Sequence, residues 1–461
     1  MVELLSASVL SDDEKALIST LSGKIRAQER PLTILDRYYD GAQRLEHIGL
    51  AVPEELRHFE VVVGIPALAV DEPTIRQRVR RFYRSGDSTK SDPALQEAWE
   101  FNNLASESDV THQEMKVFGR TVVTVGANAD DPEHPLITTE DPRQIGFSVD
   151  PRNRRFTALF RMFRDEDAKV TRGTLMTPDS TVHVLRGQRG WVVDGGDGYG
   201  RDDHGLGVVP AVLFANRRRG SSWLGRSEMT PVIGMTDAIA RLVTNMQVGA
   251  ETHALPSWFI SGASKDDFVD RDGKPIPVWE SYFTAIKALS NPDSRVQTIS
   301  PGDLKNFTDA VNNLLAWCAS VLGLPTRYAG QQSVNPAAEG AIRADESRLV
   351  GRTDRMNRHA GDCWAWVMGL EERFRTGEWG ERNSIRTLWF DPGTQAYSQL
   401  ADGVVKLRQV GALSVEGMWD ELGWDEARKT LERSRLDAEA TTDPVINAAR
   451  ALGVGDAGSG S

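Results

Sequence analysis

The patterning of this chain predicts an α+β architecture, and three observations carry that expectation. Helix-period segments open the sequence, a succession of short strands fills 135–214, and a helical pattern uninterrupted by proline runs from Ala337 to Phe374. At 461 residues the chain is long enough for about three domains. Its 40% hydrophobic and 26% charged content is that of a globular protein with a real core.

The first helical stretch, SDDEKALISTLSGKI, starts at Ser11, a good N-cap followed by acidic residues in the first turn. Pro31 restarts the pattern at LTILDRYYDG, and Gly41 terminates it. The run VVVGIPALAVD (61–71) fits a buried strand or an apolar helix equally well. Residues 93–118 read as helix between Pro93 and Gly119, and TVVTVGA (121–127) as a strand. RFTALFRMF, KVTRGTLMT, TVHVLRG and WVVDGG then follow, separated by Thr177-Pro178-Asp179 and by Gly187 to Gly190. They predict an antiparallel meander, so the first 215 residues or so form one α+β domain.

Beyond 226, Met235, Ile239, Leu242, Met246 and Gly249 fall at spacings of 4, 3, 4 and 3, one face of a helix that Pro256 ends. An insert over 256–300 holds a hairpin signal, FVDRDGKPIPVW, turning at Asp272-Gly273. A helix near 280–289 and a strand at RVQTI complete it. A second helix, Asp303 to Leu322, aligns Leu304, Phe307, Val311, Leu314, Cys318 and Val321, and Gly323 and Pro325 stop it. Two helices flanking a small α/β insert suggest a stalk with a module at its end. The polar loop TRYAGQQSVNP leads into the long helix, where Ile342, Leu349, Met356, Cys363 and Leu370 recur every seven residues. Such a helix is roughly 57 Å long. A strand (SIRTLWF), a helical region at 400–450 and a disordered tail, GVGDAGSGS, are expected after it.

Charge and motifs narrow the function. Acidic residues outnumber basic ones 66 to 54, a formal charge of −12, which argues against a protein whose main task is gripping nucleic acid. G-x-x-x-x-G-K-[ST], H-E-x-x-H and G-x-S-x-G are all absent. The segment DGGDGYGRDDHG (194–205) lacks EF-hand spacing and reads as a surface loop. Cys318 and Cys363 read as buried free thiols, and Trp364 and Trp366 as core or subunit-interface anchors. Arg217-Arg218-Arg219 and the helical stripe Arg348, Arg352 and Arg355 could touch phosphates. Asp345, Glu346, Asp354 and Asp362 on the same helix favour intrahelical or intersubunit ion pairs instead. No cofactor or metal is expected. MVELLSASVLSDDEK has no basic n-region, and the apolar run 61–70 is too short for a bilayer, so neither a signal peptide nor membrane contact is expected.

Several stretches occur in an order that carries a resemblance: Tyr38-Tyr39-Asp40-Gly41, then VVVGIPALAVD, then EAWEFNNLASESDVTHQEMKVFGRTVVTVG. ITTEDPRQIGFSVDP, LMTPDSTVHVL, GVVPAVLFANR, GRSEMTPVIGMTDAIARLVTNMQVGAETHALP and GLPTRYAGQQSVNPAAEGAIRADESRLV follow. In this order they resemble the portal proteins of tailed bacteriophages, especially the family found in phages of Gram-positive hosts. The chain departs from that family in carrying Gly64-Ile65 where an Asn-Trp pair is common. Its loop at 327–336 has a single charged residue, Arg327.

The resemblance implies a portal fold: a mixed α/β wing, a two-helix stem, a small α/β clip, a long wing helix and a helical crown. The wing would span 1–225, the stem 226–255 and 302–325, and the clip 256–301. The channel loop would be 326–337, the return through the wing 338–398, and the crown with its tail 399–461. It further implies a non-enzymatic homo-oligomeric ring, typically a dodecamer, made in the host cytoplasm and placed at one capsid vertex of the virion. Double-stranded DNA would pass through it. Its partners would be the terminase large subunit, a head-completion adaptor, and the major capsid and scaffold proteins. Arg327, Gln331, Gln332, Ser333 and Asn335 would line the channel. Arg348, Arg352 and Arg355 are candidates for DNA or intersubunit contacts. Two other classes stay open: another structural virion protein, and a DNA-processing enzyme for which the sequence offers no site.

Overall fold

The computed structural model describes residues 9–45, 61–86, 91–128, 130–196, 200–253, 257–261, 295–299, 304–330, 339–381, 384–393, 397–424 and 426–442. They fall into two compact units, Met1–Trp389 and Phe390–Ser461. The first unit begins with α1 (Asp12–Tyr39), α2 (Ile65–Thr74), β1 (Val79–Arg84), α3 (Pro93–Phe101) and α4 (Leu104–Phe118). It continues with β2 (Arg120–Gly126), β3 (Leu136–Glu140), β4 (Ile145–Val149), β5 (Phe156–Asp165) and β6 (Val170–Met176). Then come β7 (Thr181–Gly187), β8 (Gly190–Val193), β9 (Arg201–Asp202) and β10 (Ala211–Ala215). The unit ends with α5 (Ile233–His253), β11 (Ser257–Ser261), β12 (Arg295–Ile299), α6 (Lys305–Leu322), α7 (Glu339–Thr376) and β13 (Ile385–Trp389). The second unit contains α8 (Tyr397–Gln409), α9 (Val415–Glu421) and α10 (Glu426–Thr442). The fold is thus mixed α and β, as the patterning predicts.

Ser11 caps α1 as the sequence implies, and Glu14 completes a capping box. Glu14 N–H donates to Ser11 Oγ at 3.2 Å and Ser11 N–H to Glu14 Oε2 at 2.7 Å, an end worth about 1 kcal/mol. Pro31 does not restart the helix. It lies inside α1, where it costs one backbone hydrogen bond. Tertiary packing outweighs that loss: Ile18, Leu21 and Ile25 bury against Phe160, Leu175 and Val184 of the meander, while Leu32 joins Val70, Val117 and Phe118. The contact with the sheet demands Gly146, because a Cβ there would stand 2.3 Å from the carbonyl oxygen of Leu21.

The ambiguous run at 61–71 becomes a helix from Ile65, with Pro66 in the first turn, where a missing N–H costs nothing. The single helix predicted for 93–118 is two helices. Asn103 sits in the left-handed region at φ 51°. The Asn102 side chain bonds the carbonyls of Ala98 (3.0 Å) and Pro135 (3.1 Å) and accepts from Ile137 N–H (2.9 Å), which fixes the break onto β3.

The meander forms in sequence order, β4-β5-β6-β7-β8, with β9 also on β7. The strand β10 leaves it and pairs with β2, giving the three-stranded order β10-β2-β3. β2 is buried over almost its whole length, so both of its edges need a strand of this kind. Trp364 of α7 is fully buried in the central core, its ring centroid 5.2 Å from that of Trp99 and 5.0 Å from that of Phe214. Its indole N–H donates to His112 Nε2 at 3.0 Å.

The helices α5 and α6 run antiparallel. Met235 approaches Cys318 (4.0 Å), Met246 approaches Thr308 (3.9 Å), and Gly249 lies 3.6 Å from Leu304 as measured from an ideal Cβ. Between them β11 pairs with β12, Ser257 opposite Ile299 and Ser261 opposite Arg295. The predicted hairpin turn at Asp272-Gly273, the helix near 280–289 and the tail lie outside the described residues. The seam predicted on α6 rotates at its end: Cys318 is buried, but Val321 is 52% exposed and Leu322 takes the inward place. A 3.6-residue helix drifts about 20° per heptad against a strict seven-residue repeat. On α7, Leu349, Met356, Cys363 and Leu370 are all buried.

Candidate functional site

Where α5 and α6 meet the body of the first unit, Val232, Ile239, Cys318 and Leu322 bury against Ile65 and Ala69 of α2 and Leu349 of α7. The loop predicted to face a channel springs from this point. Gly323, at φ 67°, ends α6, and Leu324 N–H returns to the Ala319 carbonyl at 2.9 Å. A single 3₁₀ turn, Thr326–Ala329, then carries the last described residues before the loop.

That turn is clamped to α7. Arg327 places Nη1 at 2.6 Å from Asp345 Oδ2 and Nη2 at 2.6 Å from Glu346 Oε1. Tyr328 Oη donates to the same Glu346 oxygen at 2.8 Å and accepts from Arg76 Nη2 at 2.9 Å. Arg76 is itself held by Glu72 at 2.8 Å. Burial, and then donation to Glu346, push the Tyr328 hydroxyl above its ordinary pKa. Two arginines, a tyrosine and three carboxylates therefore join α2, the turn and α7.

A second polar centre lies at the start of α5. Glu228, fully buried, takes Arg217 Nη2 at 2.6 Å, Arg352 Nη2 at 2.9 Å and Asn216 Nδ2 at 3.0 Å. Arg352 also donates to the carbonyls of Leu322 and Ala69, the latter at 3.3 Å. Burial lowers the Arg352 pKa from its usual value, and Glu228 works in the opposite direction. Glu228 N–H meets the Lys116 carbonyl at 2.9 Å. The Lys116 amine, fully buried, donates to the His112 carbonyl at 3.0 Å, and burial pushes its pKa down to about 7.

These contacts revise the expected pairing. Arg352 does not pair along its own helix; it reaches Glu228, 124 positions away, because its side chain points into the interior. Asp345 and Glu346 are engaged by Arg327 rather than by the arginine stripe. Arg348 and Arg355 are exposed. Arg217 is held by Glu228, and Arg218 stacks on Trp223 with 4.3 Å between guanidinium and ring centroid. Gln331, Gln332, Ser333 and Asn335 lie outside the described residues. In the acidic stretch from 194, Asp194 is buried and paired with Arg172, which gives it a structural role. Sequence reasoning missed Glu228, Tyr328 and Arg76; the first two have partners 11 or more positions away, while the i,i+4 spacing of Arg76 from Glu72 was a readable signal.

Cys363 and His359 come within 4.0 Å on α7. Burial pushes the thiol up to about 12, so it is not a nucleophile near neutral pH. Among the described residues no group of three or more His, Cys, Asp or Glu could hold a metal ion, and no helix is long and apolar enough to cross a membrane.

Residues 26–443 match the family described as Phage portal protein, SPP1 Gp6-like. The chain belongs to that family. It is 32% identical to the portal protein of Mycobacterium phage D29 over 432 residues, 89% of this chain and 88% of the relative. It is 31% identical to the portal protein of Mycobacterium phage L5 over 434 residues, with the same coverage of each. Among solved structures, chains from the virion and from the neck of a native gene transfer agent particle are similar, with TM-scores of 0.48 and 0.44. Both are 12% identical and cover 86% of this chain and 94% of their own.

Proposed function

We propose that this phage portal chain works as a non-enzymatic subunit of a homo-oligomeric ring, a dodecamer, at one capsid vertex. Double-stranded DNA passes through the ring during packaging and ejection. In this reading 1–225 and 338–398 form the wing, α5 and α6 belong to the stem, and β11 and β12 to the clip. Residues 326–337 form the channel loop and 399–461 the crown. The terminase large subunit and a head-completion adaptor dock on the ring, which sits among major capsid and scaffold proteins. The observation that carries this is the antiparallel α5–α6 pair, with a strand pair between its helices and a polar loop clamped at its root by Arg327 and Tyr328.

The loop's composition suits a conduit. Gln331, Gln332, Ser333 and Asn335 are neutral, so they can touch a polyanion without the tight binding that Lys and Arg produce. Arg327 serves as the loop's anchor, its charge balanced by two carboxylates. Arg348 and Arg355, exposed on α7, are left to contact DNA or a neighbouring subunit. Replacing all four neutral loop residues with Ala should leave assembly intact and change DNA packaging or retention. Unchanged packaging and retention would remove the loop from the mechanism. Mass photometry of the purified chain tests the ring itself: species of about twelve times 50.9 kDa support it, and a defined smaller oligomer in assembled particles opposes it.

A further inference from the structure

We infer that two complementary patches at opposite edges of the β10-β2-β3 sheet form the contact between neighbouring copies in the ring, an inference that rests on the ring reading above. The first patch is a cleft of about 340 Å³ beside β10, with an apolar floor that includes Val209 and Leu213. Arg154, Arg155 and Arg218 stand on its rim, all exposed, and none makes an ion pair among the described residues. Arg155 lies over Trp366 at 4.9 Å and Arg218 over Trp223 at 4.3 Å, so each guanidinium sits over an aromatic ring. His359 and one carboxylate, Asp362, also line the cleft, which leaves the rim net positive on a chain of charge −12.

The second patch lies at the other edge of the same sheet, where β3 begins. Phe101 and Leu136 are 42% and 46% exposed, large values for such side chains in a sequence with a well-filled core. The Phe101 ring is stacked on His134 at 4.3 Å, which holds it outward as a rigid knob. Glu97 and Asp131 flank His134, and the exposed Glu100 and Glu133 precede Phe101 and His134 in the chain. His134 pairs with Asp131 at 2.8 Å and lies 3.7 Å from Glu97. No Lys or Arg occurs between Ser91 and Met115 or between Thr121 and Pro142.

An acidic aromatic knob and a basic aromatic cleft are the two halves that a cyclic assembly requires. In such a ring each contact is heterologous, joining two different patches of identical chains, and patches at opposite edges can propagate it. Copies that each carry −12 repel one another unless basic groups meet acidic ones at the contact. The occupant of the cleft is therefore a second copy of this chain, with Phe101 on the apolar floor and Glu97 and Glu100 facing Arg155 and Arg218.

A charge exchange tests this. The variants are Arg155→Glu with Arg218→Glu, Glu97→Arg with Glu100→Arg, and the fourfold exchange. All four side chains are exposed, so each variant should keep the parent's thermal midpoint. The expected result is that each double variant loses ring assembly by at least tenfold in the concentration required, and the fourfold exchange regains it. Parent chain that forms rings together with double variants that form them equally well would overturn the inference and leave the ring reading standing. Loss in both double variants without recovery in the exchange would also overturn it. Parent chain taken from particles with no ring mass at all would instead overturn the ring reading beneath it.

Discussion

Replacing Glu228 with Gln isolates the polar centre at the root of the α5–α6 pair. Glu228 is fully buried and, among the described residues, is the only carboxylate paired with Arg352, whose side chain is 11% exposed. Gln keeps the shape and can still bond Asn216, but the charge that holds two guanidiniums is gone. Arg217, with its side chain 27% exposed, can turn to water. Arg352 cannot, and a buried charge stripped of its partner costs about 3–5 kcal/mol. Taking about 3 kcal/mol, local opening at the start of α5 and in the middle of α7 becomes roughly a hundredfold more frequent. Hydrogen–deuterium exchange of peptides covering 226–236 and 348–356 reads this directly. Adding Arg352→Met to Glu228→Gln removes the stranded charge and should restore most of the protection, because no uncompensated charge is then left buried. Exchange unchanged in the single variant, or losses that simply add in the double one, would refute the reasoning.

Three other perturbations follow from the same geometry. The Lys116 amine titrates at about 7 in the folded chain against about 10.4 when unfolded, so the unfolded state binds more protons between those values. Stability should therefore rise with pH across that window by up to about 1.4 kcal/mol per pH unit, and Lys116→Met should flatten the slope measured by denaturant titration at several pH values. Gly225→Ala would set a Cβ 1.9 Å from the Gly119 carbonyl oxygen and 2.4 Å from that of Asn216. Backbone must move at the approach to α5, costing about 3 kcal/mol or more, visible as a lower thermal midpoint. Tyr328→Phe removes the bonds to Glu346 and Arg76 and should weaken the clamp by about 1–2 kcal/mol, with faster exchange confined to 324–330 and the start of α7.

Local chemistry made much of the fold legible. Ser11 as N-cap, Gly119, Gly323, the meander's turn residues and the seven-residue repeat on α7 each act within a few positions of themselves, and each behaves as predicted. The failures are tertiary. Pro31 continues a helix because α1 is packed along its length, and the β10–β2 pairing, which joins residues about 90 positions apart, has no local signal at all. The break at Asn103 was locally encoded in an Asn-Asn pair, yet its stabilising bonds go to Pro135 and Ile137. The candidate site follows the same division. The end of α6 at Gly323 was readable, whereas the clamp, apart from its Arg76–Glu72 pair, and the Glu228 ion pairs join residues 11 to 252 positions apart.

The most direct test of the account is an electron cryo-microscopy reconstruction of assembled particles without imposed icosahedral symmetry, made to locate this chain. A single ring is expected at one vertex, with the α5–α6 pairs around an axial channel and the loop after Gly330 turned toward the DNA. Copies of the chain distributed over the whole shell, or a ring in which α5 and α6 lie away from the axis, would contradict it.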